Sequence, residues 1–265
     1  MHDHLKTIIK QTTIESIINY FKKNLKRKRN FQILDLLIPR ERNIRSIVGG
    51  LETSMGKTLW EPLAKEIAKQ NGFVVVNKNL DAPINMPGSL SSTLQIVIEA
   101  RENQNGLYDA KTSHDAIKSI CQQFINSPIS NFKKPPRGNG VDVWLQKNGV
   151  DYFFDTKTVQ PNVGALKSFL TQILHWYAYY YSRYPTGTGI GRIIFPYNPY
   201  PGDYWKYCKA HGKPLEKKEE AWVENEFWDF ISGVQNTYDL IKESFVELYD
   251  EKTLETELSN LFKIQ

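Results

Sequence analysis

The sequence predicts an α/β fold, with a mixed central sheet flanked by helices. Stretches in which apolar residues recur at helical spacing alternate along the chain with short apolar runs rich in valine, isoleucine and aromatics. Between two of those runs stands Asn148-Gly149, a dipeptide that favours a two-residue type I′ hairpin turn. No internal repeat or low-complexity linker appears, so residues 1–265 are read as a single domain. Its core spans about 51–195, with a basic helical part over 1–50 and a helical part over 215–265.

The elements follow in order. Leu5, Ile8, Ile9, Ile14, Ile17, Ile18, Phe21 and Leu25 form one helical stripe over 5–26. A second helix is expected from near Glu52 to Gln70, stopped by Asn71-Gly72. Phe73 to Val76 reads as a buried strand, and 81–93, rich in Pro, Gly and Ser, as a loop. Leu94 to Glu99 is a further strand candidate, followed by a helix around Ser113 to Phe124. Lys133 to Gly140 is an irregular basic loop. Val141 to Leu145 and Val150 to Val159 form the hairpin, and a helix from about Gly164 to Tyr184 follows. Gly187, Gly189 and Gly191 read as a loop, Arg192 to Phe195 as a strand, and 196–207 as a loop. The C-terminal third reads as helical.

Charge placement narrows the class of partner. Residues 1–50 hold eleven Lys and Arg against four acids, whereas the remainder is slightly acidic. Such a basic segment suits phosphate binding by counterion release, with a solvated helix face as the alternative. No run of about 18 apolar residues exists, so no membrane span is expected. The first residues lack the pattern of a secretory signal, and Cys121 and Cys208 stand in unrelated contexts. Both features fit a reducing cytoplasm and exclude a disulfide framework or a multi-cysteine zinc site.

The hairpin carries the chemistry. With Asn148 and Gly149 as turn residues, counting outward sets Asp142 opposite Asp155. Directly opposed residues share a face, with Cβ atoms roughly 4.5–5.5 Å apart. Strand alternation brings Lys157 to that face as well. Two carboxylates and an ammonium therefore converge among Val141, Val143, Tyr152, Phe153 and Phe154, residues suited to a buried central pair. Opposed carboxylates repel, and a divalent cation relieves the repulsion. Hard oxygen donors suit Mg²⁺, and the lysine can orient or activate an attacking water.

Asp142 followed by Asp155-Thr156-Lys157 is similar to the PD-(D/E)xK motif of the restriction-endonuclease-like nuclease superfamily. The position before the first Asp, usually Pro, is Val141 here. Thr158 to Asn162, followed by a helix bearing Gln172, resembles what type II restriction enzymes carry after their D-x-K strand. More narrowly, residues 142–177 resemble a family that cuts GGNCC-like sites. The resemblance spans roughly Leu51 to Phe195. It implies a restriction-endonuclease-like core that cleaves double-stranded DNA with Mg²⁺, acting as a homodimer beside a cognate DNA methyltransferase. It also implies a third acid on the helix before Asp142. Glu52 is the first candidate, ahead of Glu61 and Glu66, and a solvent-facing role stays open for each. Lys133, Lys134 and Arg137, just before the hairpin, are the candidate DNA contacts, with a solvated loop as the alternative. A repair or junction nuclease on the same core and a catalytically silent DNA-binding protein are the competing functions.

Other signals are weaker. Gly50 to Thr58 looks like a phosphate-binding loop, but five residues, not four, separate Gly50 from Gly56-Lys57-Thr58. The five histidines, His2, His4, His114, His175 and His211, show no metal-binding spacing. Trp176 to Tyr181 could stack on bases, although helical packing accounts for the run.

Overall fold

The computed structural model describes residues 2–25 and 32–263. Lys26, Arg27, Lys28 and Arg29 of the basic front segment lie outside the described residues. The chain runs α1 (His2–Leu25), α2 (Pro39–Met55), α3 (Glu61–Gln70), β1 (Val74–Val75) and β2 (Ala82–Pro83). Next come α4 (Gly88–Glu102), α5 (Ala110–Gln122), β3 (Phe132–Lys133), β4 (Val143–Lys147) and β5 (Val150–Thr156). After α6 (Val163–Arg183) follow β6 (Gly189–Phe195), α7 (Tyr204–Tyr207), β7 (Ala221–Val223), α8 (Asn225–Ser232), α9 (Thr237–Asp250) and α10 (Thr253–Lys263).

The fold is α/β. A five-stranded mixed sheet has the order β1-β4-β5-β6-β7, antiparallel through β1, β4 and β5 and parallel through β5, β6 and β7. The long helix α6 supplies the crossover that two parallel neighbours require. Asn148 and Gly149 both have positive φ, 51° and 76°, as a type I′ turn demands. The turn fixes the expected register, Val143 opposite Phe154 and Leu145 opposite Tyr152. Alternation along β5 then sends Phe153 into the apolar layer beneath α4, α5 and α6, and Phe154 into the layer beneath α1, α3 and α8. Both phenylalanines are fully buried.

Several expectations need correction. Leu94 to Glu99 is helical, part of α4, and not a strand. Its valine and isoleucines read as β by propensity, but Leu90, Leu94, Val97, Ile98 and Arg101 are buried at helical spacing. The stretch 81–93 is not all loop: β2 and the first turn of α4 fall within it. The helix expected from Glu52 begins at Pro39, a suitable first-turn residue. Gly189 to Gly191 belong to β6, where added side chains would meet Tyr180, Phe153 and Trp176. The C-terminal third is helical except for β7, which pairs Trp222 with Ile194 at the sheet edge, and 196–207 contains α7.

Phe73 to Val76 is not a buried strand: only Val74 and Val75 pair, as the edge strand β1, and Val74 is exposed. Trp176, Tyr177, Tyr179, Tyr180 and Tyr181 are all buried in the core, as helical packing requires. Cys121 and Cys208 are free and buried. Among the described residues no helix is long and apolar enough to cross a membrane.

Candidate active site

Asp142 and Asp155 meet at the end of the hairpin. The ladder continues one residue past β4 through the Asp142 amide, which donates to the Phe154 carbonyl at 3.1 Å. On the other edge of β5 the Lys157 amide donates to the Ile194 carbonyl at 2.9 Å, so the D-x-K triplet stays within the sheet. Asp155 is 4% exposed and Lys157 about one-fifth exposed. Lys157 Nζ lies 2.5 Å from Asp155 Oδ2 and 5.1 Å from the centre of the Phe169 ring.

Helix α6 grips the site from one face of the sheet. Asn162 caps it, accepting a hydrogen bond from the Ala165 amide at 2.8 Å. Gln172, 3% exposed, donates to Asp155 Oδ2 at 2.6 Å and to the Gly140 carbonyl at 3.0 Å. One turn on, the Trp176 indole N–H reaches the Asn139 and Gly140 carbonyls at 3.1 and 3.2 Å. The loop that delivers Asp142 is therefore tied to the helix that holds Asp155.

The other wall is a continuous helical stretch from α2 into α3, joined by a π-helical turn over Gly56–Trp60. A side chain at Gly56 would come within 3.1 Å of the Thr156 hydroxyl, so glycine allows this turn to sit against β5 beside Asp155. The segment that looked like a phosphate-binding loop is thus helical, without the nest of amides such a loop provides.

A cleft of about 1120 Å³ opens between these walls, lined by Asp142, Asp155, Lys157, Glu52, Glu61 and Arg137 among others. Lys134 also lines it, whereas Lys133 sits in β3, paired with Ala82 away from the cleft. Of the three candidate third acids, Glu61 is the one whose charge acts on both Asp142 and Asp155. Glu52 is exposed on the cleft wall, and Glu66 lies outside it, paired with Lys69 at 2.5 Å.

The electrostatics are those of crowded anions. Asp142 is pushed up to about 9, chiefly by burial, then by the hydrogen bond and charge of Asp155 and by Glu61, with Lys157 opposing. Glu61 is also raised, by burial first and by Asp155, against the pull of Lys65. Lys157 is the ammonium bonded within this carboxylate group, while Lys57, Lys134 and Arg137 line the cleft around it. Among the described residues no three or more His, Cys, Asp or Glu side chains are grouped tightly enough to hold a metal alone. The close donors are the two aspartates, with Glu61 facing them.

Two features were missed or underread in the sequence. Gln172 appeared only as part of a resemblance, because a buried glutamine on an apolar helix face has no distinctive spacing. Lys57 falls in the segment that resembles a phosphate-binding loop, and it lines the cleft.

The family model for the HinfI type II restriction endonucleases matches residues 1–248. The chain belongs to this family. The match takes in the N-terminal part and most of the C-terminal part, both beyond the span of the motif resemblance. The chain is also 28% identical over 197 residues to the type II restriction enzyme MjaII of Methanocaldococcus jannaschii, covering 71% of this chain and 50% of that protein. It thus spans about half the length of the curated relative it matches. No solved structure matches the chain.

Proposed function

We propose that the protein is a type II restriction endonuclease that hydrolyses phosphodiester bonds at a specific sequence in double-stranded DNA, with Mg²⁺ as cofactor. The observation that carries this reading is the convergence of Asp142, Asp155 and Lys157 at the floor of one cleft, in a chain of restriction-enzyme family.

The donor set fits a hard divalent cation. Burial and the neighbouring carboxylates raise the proton affinity of Asp142, a crowding that positive charge beside it relieves, and Mg²⁺ needs only one or two carboxylates besides waters and substrate phosphate. Asp142 and Asp155 would hold it, and Glu61 is the third acid in place of Glu52. Bound there, the ion supplies a Lewis acid and a template for in-line displacement.

The protein's own groups do the rest. Gln172 fixes the Asp155 carboxylate, so the site is organised before substrate arrives. The Lys157 ammonium orients the attacking water and offsets charge that develops on the phosphoryl oxygens. Lys134 and Arg137, on the rim beside the hairpin, meet the phosphates flanking the scissile bond. Lys133, paired with Ala82 in β3, does not line the cleft.

A homodimer presenting two such clefts accounts for cutting both strands of a symmetric site. A cognate DNA methyltransferase and a cytoplasmic location belong to the same reading, and a GGNCC-like sequence is the first site to test. Digestion of a long unmethylated plasmid tests the function. Discrete fragments with one common end sequence are expected. Cutting confined to forks, junctions or mismatches would replace this reading with a repair nuclease.

A further inference from the structure

A second cavity, of about 820 Å³, lies between α1 and the α2–α3 stretch. Ser54 and Lys57 line both this groove and the catalytic cleft, so the π-helical turn is the ridge between two adjoining hollows. We infer that the groove is a second DNA subsite, in which Lys57 holds a backbone phosphate and Asn19 meets a base edge. The inference rests on the nuclease reading of the neighbouring cleft.

Charge decides which part of DNA each position suits. Inside the groove Lys23 and Lys57 are balanced by Glu15 and Glu66, so it is not a phosphate track. Lys57 stands on the ridge between groove and cleft, exposed, with no hydrogen bond or ion pair to any described residue, although its charge acts on nearby Glu61. An unpaired ammonium there gains a charge-assisted contact with a phosphate without breaking an existing pair.

The groove wall offers neutral hydrogen-bonding groups instead. Gln11 is engaged by Glu15 at 3.0 Å, and Asn24 by the Tyr20 carbonyl at 2.8 Å. Asn19 is exposed, and its carboxamide has no partner among the described residues. A carboxamide presents donor and acceptor together, the combination that base edges present in the major groove.

The walls are also held at a fixed spacing, which base readout requires. A side chain at Gly50 would collide with the Tyr20 hydroxyl, so glycine lets α2 close onto α1. That hydroxyl donates to the Ile47 carbonyl at 3.0 Å.

The test uses Lys57→Ala and Asn19→Ala in the full chain, after mapping a cut site with wild-type protein. Binding of a duplex of about 30 base pairs carrying that site is measured across salt concentrations with Ca²⁺, and Lys57→Ala should lower the slope of log affinity against log salt by about 1. Cleavage is compared between the mapped site and its single-base variants, where Asn19→Ala should narrow the preference by roughly tenfold at one position. Both variants should match wild type in melting temperature, because neither side chain has a hydrogen-bond or ion-pair partner among the described residues. A wild-type salt slope in Lys57→Ala, or undiminished discrimination in Asn19→Ala, overturns that residue's assignment while wild-type cutting preserves the nuclease reading. Failure of the wild type to bind or cut duplex DNA would instead remove the reading on which the subsite rests.

Discussion

Gln172 donates to the same oxygen of Asp155, Oδ2, that receives the Lys157 ammonium, at 2.6 and 2.5 Å respectively. With its second contact on the Gly140 carbonyl, Gln172 joins the strand carrying Asp155 to the loop leading into Asp142. In the proposed mechanism it acts through Asp155, as a positioning residue. Gln172→Ala should lower kcat by about 10–100-fold, the usual scale for partners of a metal-binding group, with DNA affinity near wild type. Single-turnover kinetics beside a binding titration separate the two. Loss of affinity with unchanged kcat would show that Gln172 serves the DNA surface instead.

Glu61 and Glu52 can be told apart by metal dependence. Glu61→Gln should raise the Mg²⁺ concentration needed for half-maximal cleavage by about tenfold or more, on the scale of weakened metal sites. Glu52→Gln should leave it within about twofold, since an exposed wall residue gives little to a buried site. The reverse ranking would return the third acid to Glu52.

Asp142 makes the metal-free protein sensitive to pH. Its carboxyl ordinarily titrates at 3.8 and is held up to about 9 in the folded chain. Between those values the folded state binds the extra proton, so stability falls as pH rises through the window and levels off above it. In EDTA the melting temperature should drop from pH about 6 to about 8.5 and drop less in Asp142→Asn. Mg²⁺ should recover more at the higher pH. Equal pH profiles for the two proteins would mean that the pair is not coupled.

Arg101 and Glu220 form a buried pair, 3% and 2% exposed, with nitrogen and oxygen 2.6 Å apart. Burial raises the Glu220 carboxyl despite this partner. Arg101 also bonds Ser113 and the Pro214 carbonyl, tying the segment before β7 to α4 and α5. Arg101→Met strands a buried carboxylate and should cost about 3–5 kcal/mol in chemical denaturation, while adding Glu220→Leu should recover most of it. A loss under about 1 kcal/mol would place this pair in the weak class of exposed bridges.

The legible parts of the fold were those fixed by local chemistry. Asn148-Gly149 sets a register, and that register alone brings Asp142, Asp155 and Lys157 to one face. Helix α6 was readable because its apolar stripe is long and Asn162 starts it. The misses have physical reasons. The β-branched residues of α4 favour a strand locally, and only packing against α5 and α6 decides for a helix. Three-residue β7 carries too short a pattern, and its place is set by β6 beside it. Glu61 and Lys57 owe their positions to the π-helical turn, whose close approach to β5 through Gly56 has no sequence period.

Asp142, Asp155 and Lys157 are proposed to form a metal-dependent phosphodiesterase centre. Its most direct test is digestion of supercoiled plasmid by wild type, Asp155→Ala and Lys157→Ala, each with Mg²⁺ and with EDTA, after circular dichroism shows the three proteins equally folded. Discrete cuts by wild type with Mg²⁺ alone, and at least about a 100-fold loss in each variant, are expected. Cutting that survives in Asp155→Ala, or that continues undiminished in EDTA, would contradict the proposal.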